Sequence, residues 1–173
     1  KNQTALLIKV LVYVNKFQMQ LEEDGLEKVI YRFQTEIEKM SEGSAKAIMQ
    51  SMLAEMYSNY LNNHIYKISD RTAVSDNKSD DISTWDIERI SEKVFELYSK
   101  SISNPVIKTV RLSDYKDLLL GLNNELLEPT LFDFLINRAI DFYSNENSYL
   151  SKPAYRFYLD RDEALADDKT FVT

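Results

Sequence analysis

The sequence predicts an all-α fold of irregular antiparallel helical hairpins, as in an α-solenoid or a tetratricopeptide-like array, with one long ordered loop. Apolar residues recur along most of the chain at spacings of three and four, which is typical of amphipathic helices. Glycine and proline, the usual helix breakers, occur only three times each in 173 residues. No self-similarity with a period near 34 residues is present, so irregular repeats are favoured over a consensus array.

A three-helix unit is expected over about residues 4–61. The first helix is predicted over residues 4–23. Asp24 and Glu27 then have the spacing of a capping box for the second helix. The third helix is predicted to begin at Ser44. Since the links between these helices are short, neighbouring helices must pack antiparallel.

The long ordered loop is predicted over residues 62–83, which are rich in Asn, Asp and Ser. A short strand is expected near residues 71–74, where β-branched residues occur. Further helices follow over residues 84–146, and Ser83 with Asp86 has the spacing of a second capping box.

Proline residues divide the second half of the chain. Pro105 is expected to end one helix, Ser113 or Asp114 to cap a shorter one, and residues 129–130 to open the last strong helix. Residues 147–173 are interpreted as an extended segment and a truncated tail. The whole chain is predicted to be a single helical domain or a fragment of a larger helical array.

The composition disfavours several classes of function. The net charge of −7 and the lack of a basic stripe disfavour nucleic-acid binding. Without cysteine the chain has no disulfide, thiolate nucleophile or Cys-ligated zinc. The longest apolar run, residues 5–14, contains Lys9 and is too short to span a membrane.

Two sequence features resemble metal or catalytic sites only weakly. The acidic run that begins at Asp76 has Lys78 at the third position of a calcium loop and Asp81 where glycine is required. His64 is the only histidine and is interpreted as a surface or loop residue. We therefore expect no cofactor, no metal and no enzymatic activity.

Four aromatic residues near the predicted loop are candidates for partner binding, namely Tyr57, Tyr60, Tyr66 and Trp85. Aromatic side chains beside a loop can form a peptide- or sugar-binding patch. The same residues at helical spacing are also typical of a core, and both interpretations stay open. Trp85 in particular is expected to attach the loop to the helices.

Arg138 lies within an apolar stretch of the last predicted helix. We expect it to form a structural ion pair with Asp80 or Asp81, which would hold the loop against that helix.

Five sequence blocks occur in an order that resembles the N-terminal helical region of the large alpha-2-macroglobulin-like proteins of Bacteroidetes. The blocks are LEEDGLEK (21–28), KAIMQSMLAEMY (46–57), DDISTWDI (80–87), PTLFDFLINRAIDFY (129–143) and KPAYRF (152–157).

This resemblance implies a protein of the bacterial envelope, periplasmic or anchored in the outer membrane, whose β-sandwich body entraps proteases. It implies that the present chain is a non-catalytic spacer or interaction surface. It also implies that downstream domains of the parent protein contact the proteases. The alternative is a free-standing helical-repeat module that binds a protein or peptide.

Overall fold

The computed structural model describes residues 8–10, 13, 24–69, 79–115, 118 and 129–144. These residues form α1 (Gly25–Lys39), α2 (Ser44–Ser69), α3 (Ile87–Ser103) and α4 (Leu131–Ser144), with 3-10 helices at Ile82–Thr84, Pro105–Lys108 and Leu112–Tyr115. Residues 8–10 and 13 are also helical. A single isolated antiparallel bridge joins Arg111 to Thr130 in this part of the chain. The predicted all-α fold is confirmed.

Helix α2 lies at the centre of the described structure. It packs most extensively against α3, and also against α1 and α4. The early part of α2 faces the late part of α3 across a groove lined by Gln50 and Lys100. Later in α2, Tyr57 lies beside Trp85, just before α3 begins. Helices α2 and α3 are therefore antiparallel, as the hairpin prediction requires.

The buried residues form two clusters, and α2 contributes to both. The first core joins α1, α2 and α3 around residues such as Phe33, Tyr57 and Ile90. The second core lies at the start of α2 and contains Ala47, Ile48, Ile107, Leu112, Tyr115, Leu131 and Leu135. Met52 and Leu118 pack against both cores. The two clusters are therefore connected through α2.

Helix α2 is longer than the sequence analysis predicts. Residues 62–69, expected to start the long loop, are helical, and α2 ends at Ser69. Ile65 is half-buried and Ile68 fully buried, at spacings of four and seven from the buried Leu61. These positions continue the apolar side of α2, so tertiary burial outweighs the low helix propensity of the preceding Asn residues. The strand expected near residues 71–74 lies outside the described residues.

The predicted capping contacts at two helix starts are wrong, and α3 begins at Ile87, three residues later than a cap at Ser83 implies. Asp24 makes no side-chain cap for α1, because its carboxylate forms an ion pair with Lys28 at 3.0 Å. Asp86 is itself the N-cap of α3 and accepts a hydrogen bond from the Arg89 backbone N–H at 2.8 Å. Ser83, the expected cap, lies in the preceding 3-10 helix.

The start of α4 contains a reciprocal capping box that the sequence analysis missed. The Asp133 backbone N–H donates to Thr130 Oγ1 at 3.2 Å, and the Thr130 backbone N–H donates to Asp133 Oδ2 at 3.0 Å. The spacing is that of a capping box with aspartate in place of glutamate. Earlier, α3 ends before Pro105 as predicted, and only a 3-10 helix is described around Ser113 and Asp114.

Ser91 provides a stability prediction. Its hydroxyl is buried in α3 and has no hydrogen-bond partner in the described part of the chain. We expect Ser91→Ala to raise the free energy of unfolding by about 1 kcal/mol, because it removes a desolvated hydroxyl and improves helix propensity. Urea denaturation would measure the change. Ser101→Ala is the matched control, since the buried Ser101 hydroxyl donates to the Tyr98 carbonyl at 2.7 Å, and it should give no such gain. A loss of stability in Ser91→Ala would contradict the prediction.

Candidate functional site

The four aromatic candidates for partner binding do not form one exposed surface. Tyr57, Tyr60 and Trp85 are buried in the first core, with 1%, 2% and 6% of their surface exposed. Tyr66 is 88% exposed on α2. Three of the four therefore follow the core interpretation, and of these four only Tyr66 is open to a partner.

Trp85 fixes the segment that precedes α3. Its ring stacks on that of Tyr57, with centroids 5.7 Å apart and planes 8° from parallel, and the Arg89 guanidinium lies 4.2 Å from its centroid. The indole N–H donates to the Ser79 carbonyl at 2.9 Å. The Tyr57 hydroxyl donates to Gln34 Oε1 at 3.2 Å, and burial raises the pKa of Tyr57 so that the phenol keeps its proton. The expected attachment of the loop through Trp85 is present at its described end.

His64, expected at the surface or in a loop, lies within α2 and is half-buried, so the loop position is wrong. Its ring stacks on that of Tyr60, with centroids 4.4 Å apart, and its Nδ1 lies 3.0 Å from the Tyr60 carbonyl oxygen. The spacing of four residues between Tyr60 and His64 is the sequence signal for this contact. Among the described residues, no group of three or more His, Cys, Asp or Glu is placed to hold a metal ion.

Arg138 forms an ion pair, but with a different partner from the one expected. Its guanidinium donates to Glu55 Oε2 at 2.6 Å and, through Nε, to Ser51 Oγ at 3.1 Å. Asp80 and Asp81 lie elsewhere, at the groove beside α1. The contacts join α4 to α2, because Ser51 and Glu55 are four residues apart on one side of α2. Arg138 therefore forms a structural ion pair as expected, whereas the predicted pairing with Asp80 or Asp81 is wrong.

We expect Arg138→Met to lower the free energy of unfolding by roughly 1–2 kcal/mol, since a charge-assisted contact is lost at a partly exposed site. Methionine keeps most of the apolar stem, so urea denaturation reports mainly on the polar contacts. Glu55→Gln completes a double-mutant cycle, and additive effects would show that the pair is not coupled. Lys39→Met, which removes the exposed ion pair with Glu36, should change stability by less than about 0.5 kcal/mol.

A groove of about 530 Å³ lies between α1 and the segment that contains Asp80 and Asp81. Its apolar wall includes Ile82 and the ring of Tyr31, which is 67% exposed. Its charged lining consists of Glu27, Lys28, Arg32, Glu36, Asp80 and Asp81. This size is within the range of about 300–1,000 Å³ that ligand sites usually have. An aromatic wall beside mixed charges fits a short peptide better than an apolar cofactor.

A second, smaller groove of about 320 Å³ is lined by residues of α1, α2 and α3, among them Lys93 and Lys100. Glu96 on α3 accepts hydrogen bonds from Lys93, at 2.8 Å, and from Lys100. Partial burial acts to raise the pKa of Glu96, but the two lysines outweigh it and hold the pKa below its usual value of 4.5. The carboxylate therefore stabilises the folded state in its ionised form.

This shift gives a prediction for pH dependence. Because the folded-state pKa of Glu96 is depressed, its contribution is complete above the unfolded value of 4.5 and is lost as the pH falls through the folded value. Glu96→Gln should cost less than about 1 kcal/mol at pH 7, since the site is partly exposed. The difference in stability between Glu96→Gln and the parent chain should disappear at acidic pH, where Glu96 is protonated. Thermal unfolding at several pH values measures it, and Glu38→Gln at an exposed site on α1 should cause neither effect.

Comparisons with known proteins leave the family open. The chain matches no protein-family model, no curated protein and no solved structure. None of the described helices combines the length and the apolar character needed to cross a membrane. The resemblance to a known family therefore rests on the sequence blocks alone.

Proposed function

We propose that this chain is a non-catalytic helical segment of an alpha-2-macroglobulin-like envelope protein, in which it serves as a spacer or interaction surface for protease inhibition. The observation that carries the proposal is the order of the five sequence blocks along the chain. A periplasmic or outer-membrane-anchored location, and protease contact through other domains of the parent protein, belong to the same proposal.

The contacts between three of these blocks support a role as a scaffold. Tyr57 in the second block stacks on Trp85 in the third. Arg138 in the fourth block donates to Ser51 and Glu55 in the second. Residues in three of the five blocks therefore hold the helices together, as is expected of a scaffold.

The coding sequence on both sides of Lys1 and Thr173 provides the first test. We expect a lipoprotein-type signal upstream and a long β-rich extension downstream. A stop codon soon after Thr173 would overturn the proposal.

A protease assay provides the second test. An entrapping inhibitor blocks cleavage of a large protein substrate but leaves cleavage of a small peptide substrate unaffected. We expect the parent protein to show this difference with trypsin, and the present chain alone, at the same molar ratio, to block neither cleavage. Inhibition of both cleavages by the isolated chain would contradict a role as spacer.

The groove beside α1 favours one alternative, a free-standing helical-repeat module that binds a peptide. Its lining has four carboxylates and two cationic side chains, so a basic peptide is the best probe. A library of short basic peptides, read out by NMR titration, should bind and should lose affinity in Tyr31→Ala. Tyr66→Ala is the control, because Tyr66 is exposed but is not part of the groove. If none of the peptides binds, this alternative is excluded.

A further inference from the structure

Large apolar side chains lie open on the outer side of α3 and α4. Phe95 is 51% exposed, Ile140 49% and Tyr143 37%, and Val106 in the 3-10 helix after α3 is 49% exposed. None of the four belongs to either core. We refer to these four residues as the outer face. Apolar side chains that cluster in this way usually mark a surface that another segment or protein covers.

Contacts and helical spacing place three of the four residues, Phe95, Ile140 and Tyr143, beside one another. The rings of Phe95 and Tyr143 lie 5.4 Å apart, and the Tyr143 hydroxyl is 3.5 Å from Ser99 Oγ, so α3 and α4 adjoin there. Ile136, Ile140 and Tyr143 follow one another at spacings of four and three, which places them on one side of α4. The exposed side of α4 therefore continues that of α3.

The sequence that follows α4 has the composition needed to cover this surface. Residues 145–148, Asn-Glu-Asn-Ser, are all polar and have the length of a typical link between two antiparallel elements. Residues 149–159 then contain six large apolar or aromatic side chains, namely Tyr149, Leu150, Tyr155, Phe157, Tyr158 and Leu159. Only four residues thus separate the last turn of α4 from an aromatic-rich stretch.

Residues 149–159 are long enough to cover the outer face. An extended chain advances about 3.3 Å per residue, so residues 149–159 can span roughly 30 Å. Along α3, the residues from Phe95 to the helix end at Ser103 cover roughly 12 Å, at about 1.5 Å per residue. A short tether also gives an effective concentration of the order of millimolar, which favours a segment of the same chain over a free partner.

We propose that residues 149–159 of the same molecule pack on the outer face and remove Phe95 and Tyr143 from solvent. A partner protein or a second copy of the chain is then not needed to cover these side chains. The inference holds whether or not the chain is part of an alpha-2-macroglobulin-like protein, because it depends only on the outer face and on the sequence after α4.

Hydrogen–deuterium exchange on the full chain tests the proposal. Phe157→Ser removes an aromatic side chain from the covering stretch, whereas the matched control Phe171→Ser makes the same change outside it. We expect amides of α3 and α4 beside the outer face to exchange about 10-fold faster in Phe157→Ser, since the burial of one phenylalanine is worth at least that factor. Amides of α1 should be unaffected, and Phe171→Ser should resemble the parent chain.

The measurement is repeated at two protein concentrations about a hundredfold apart. An effect of Phe157→Ser that is the same at both concentrations supports packing within one molecule. An effect present only at the higher concentration would overturn the proposal in favour of a second copy, and equal exchange in Phe157→Ser and Phe171→Ser would overturn it altogether. Far-UV circular dichroism of both variants confirms that the helices are intact.

Discussion

Replacement of Trp85 by alanine is expected to lower the free energy of unfolding by roughly 3–5 kcal/mol. The indole is 6% exposed, and both the Tyr57 ring and the Arg89 guanidinium lie against it. Its removal leaves a cavity between α2 and the start of α3, and it leaves the Ser79 carbonyl without the indole N–H donor. Urea denaturation followed by circular dichroism measures the effect, because the chain has a single tryptophan and the variant loses its fluorescence.

Two further variants separate the contributions of this side chain. Trp85→Phe keeps an aromatic ring against Tyr57 but loses the hydrogen bond to Ser79, and should cost about 1–2 kcal/mol. Arg89→Met removes the cation that lies against the ring and should cost about 0.5–1 kcal/mol through that contact. An unchanged stability in Trp85→Ala would contradict the buried position of the indole and the contacts described above.

Leu135→Ala is expected to cost roughly 2–5 kcal/mol, because Leu135 is 1% exposed in the second core. Its neighbours in that core come from α2, from α4 and from the 3-10 helix that contains Ile107, so they cannot all move to fill the cavity. Tyr66→Ala is the control, since it removes a larger side chain that is 88% exposed, and should change stability by less than about 0.5 kcal/mol.

The shape of the unfolding curve of Leu135→Ala gives additional information. Met52 and Leu118 pack against both cores, and α2 runs through both. We therefore expect one cooperative transition, with a lower midpoint and an unchanged slope. Two separated transitions would show that the second core unfolds independently of the first.

The helix starts could be predicted from sequence, whereas the extent of α2 could not. Asp24 precedes α1, Ser44 begins α2 and Pro129 precedes α4, and Asp, Ser and Pro are residue types that favour helix N-termini. Asn62 and Asn63 locally favour a loop, but burial of Ile68 against the first core keeps the helix continuous. The end of α2 is set by tertiary packing, so the local sequence pattern does not predict it.

The sequence could predict the type of contact that a side chain makes, but not its partner. The sequence indicates that Arg138 needs an acidic partner, since it lies between the apolar residues Leu135 and Ala139, but several carboxylates satisfy that need equally well. Only the packing of α4 against α2 selects Glu55 over Asp80 and Asp81. The aromatic residues show the same limit, because helical spacing is common to a core and to a binding patch, and the fold decides that Tyr57 and Tyr60 are buried.

The contact between α4 and the beginning of α2 has a consequence for the order of synthesis. Arg138 follows Ser51 by 87 residues, and the second core is incomplete without α4. At about 5–20 residues per second, the ribosome needs roughly 4–17 s to add that length of chain. During this interval Ala47 and Ile48 lack the side chains that later cover them. The nascent protein therefore presents an unfinished apolar surface, to which a chaperone would be expected to bind until α4 emerges.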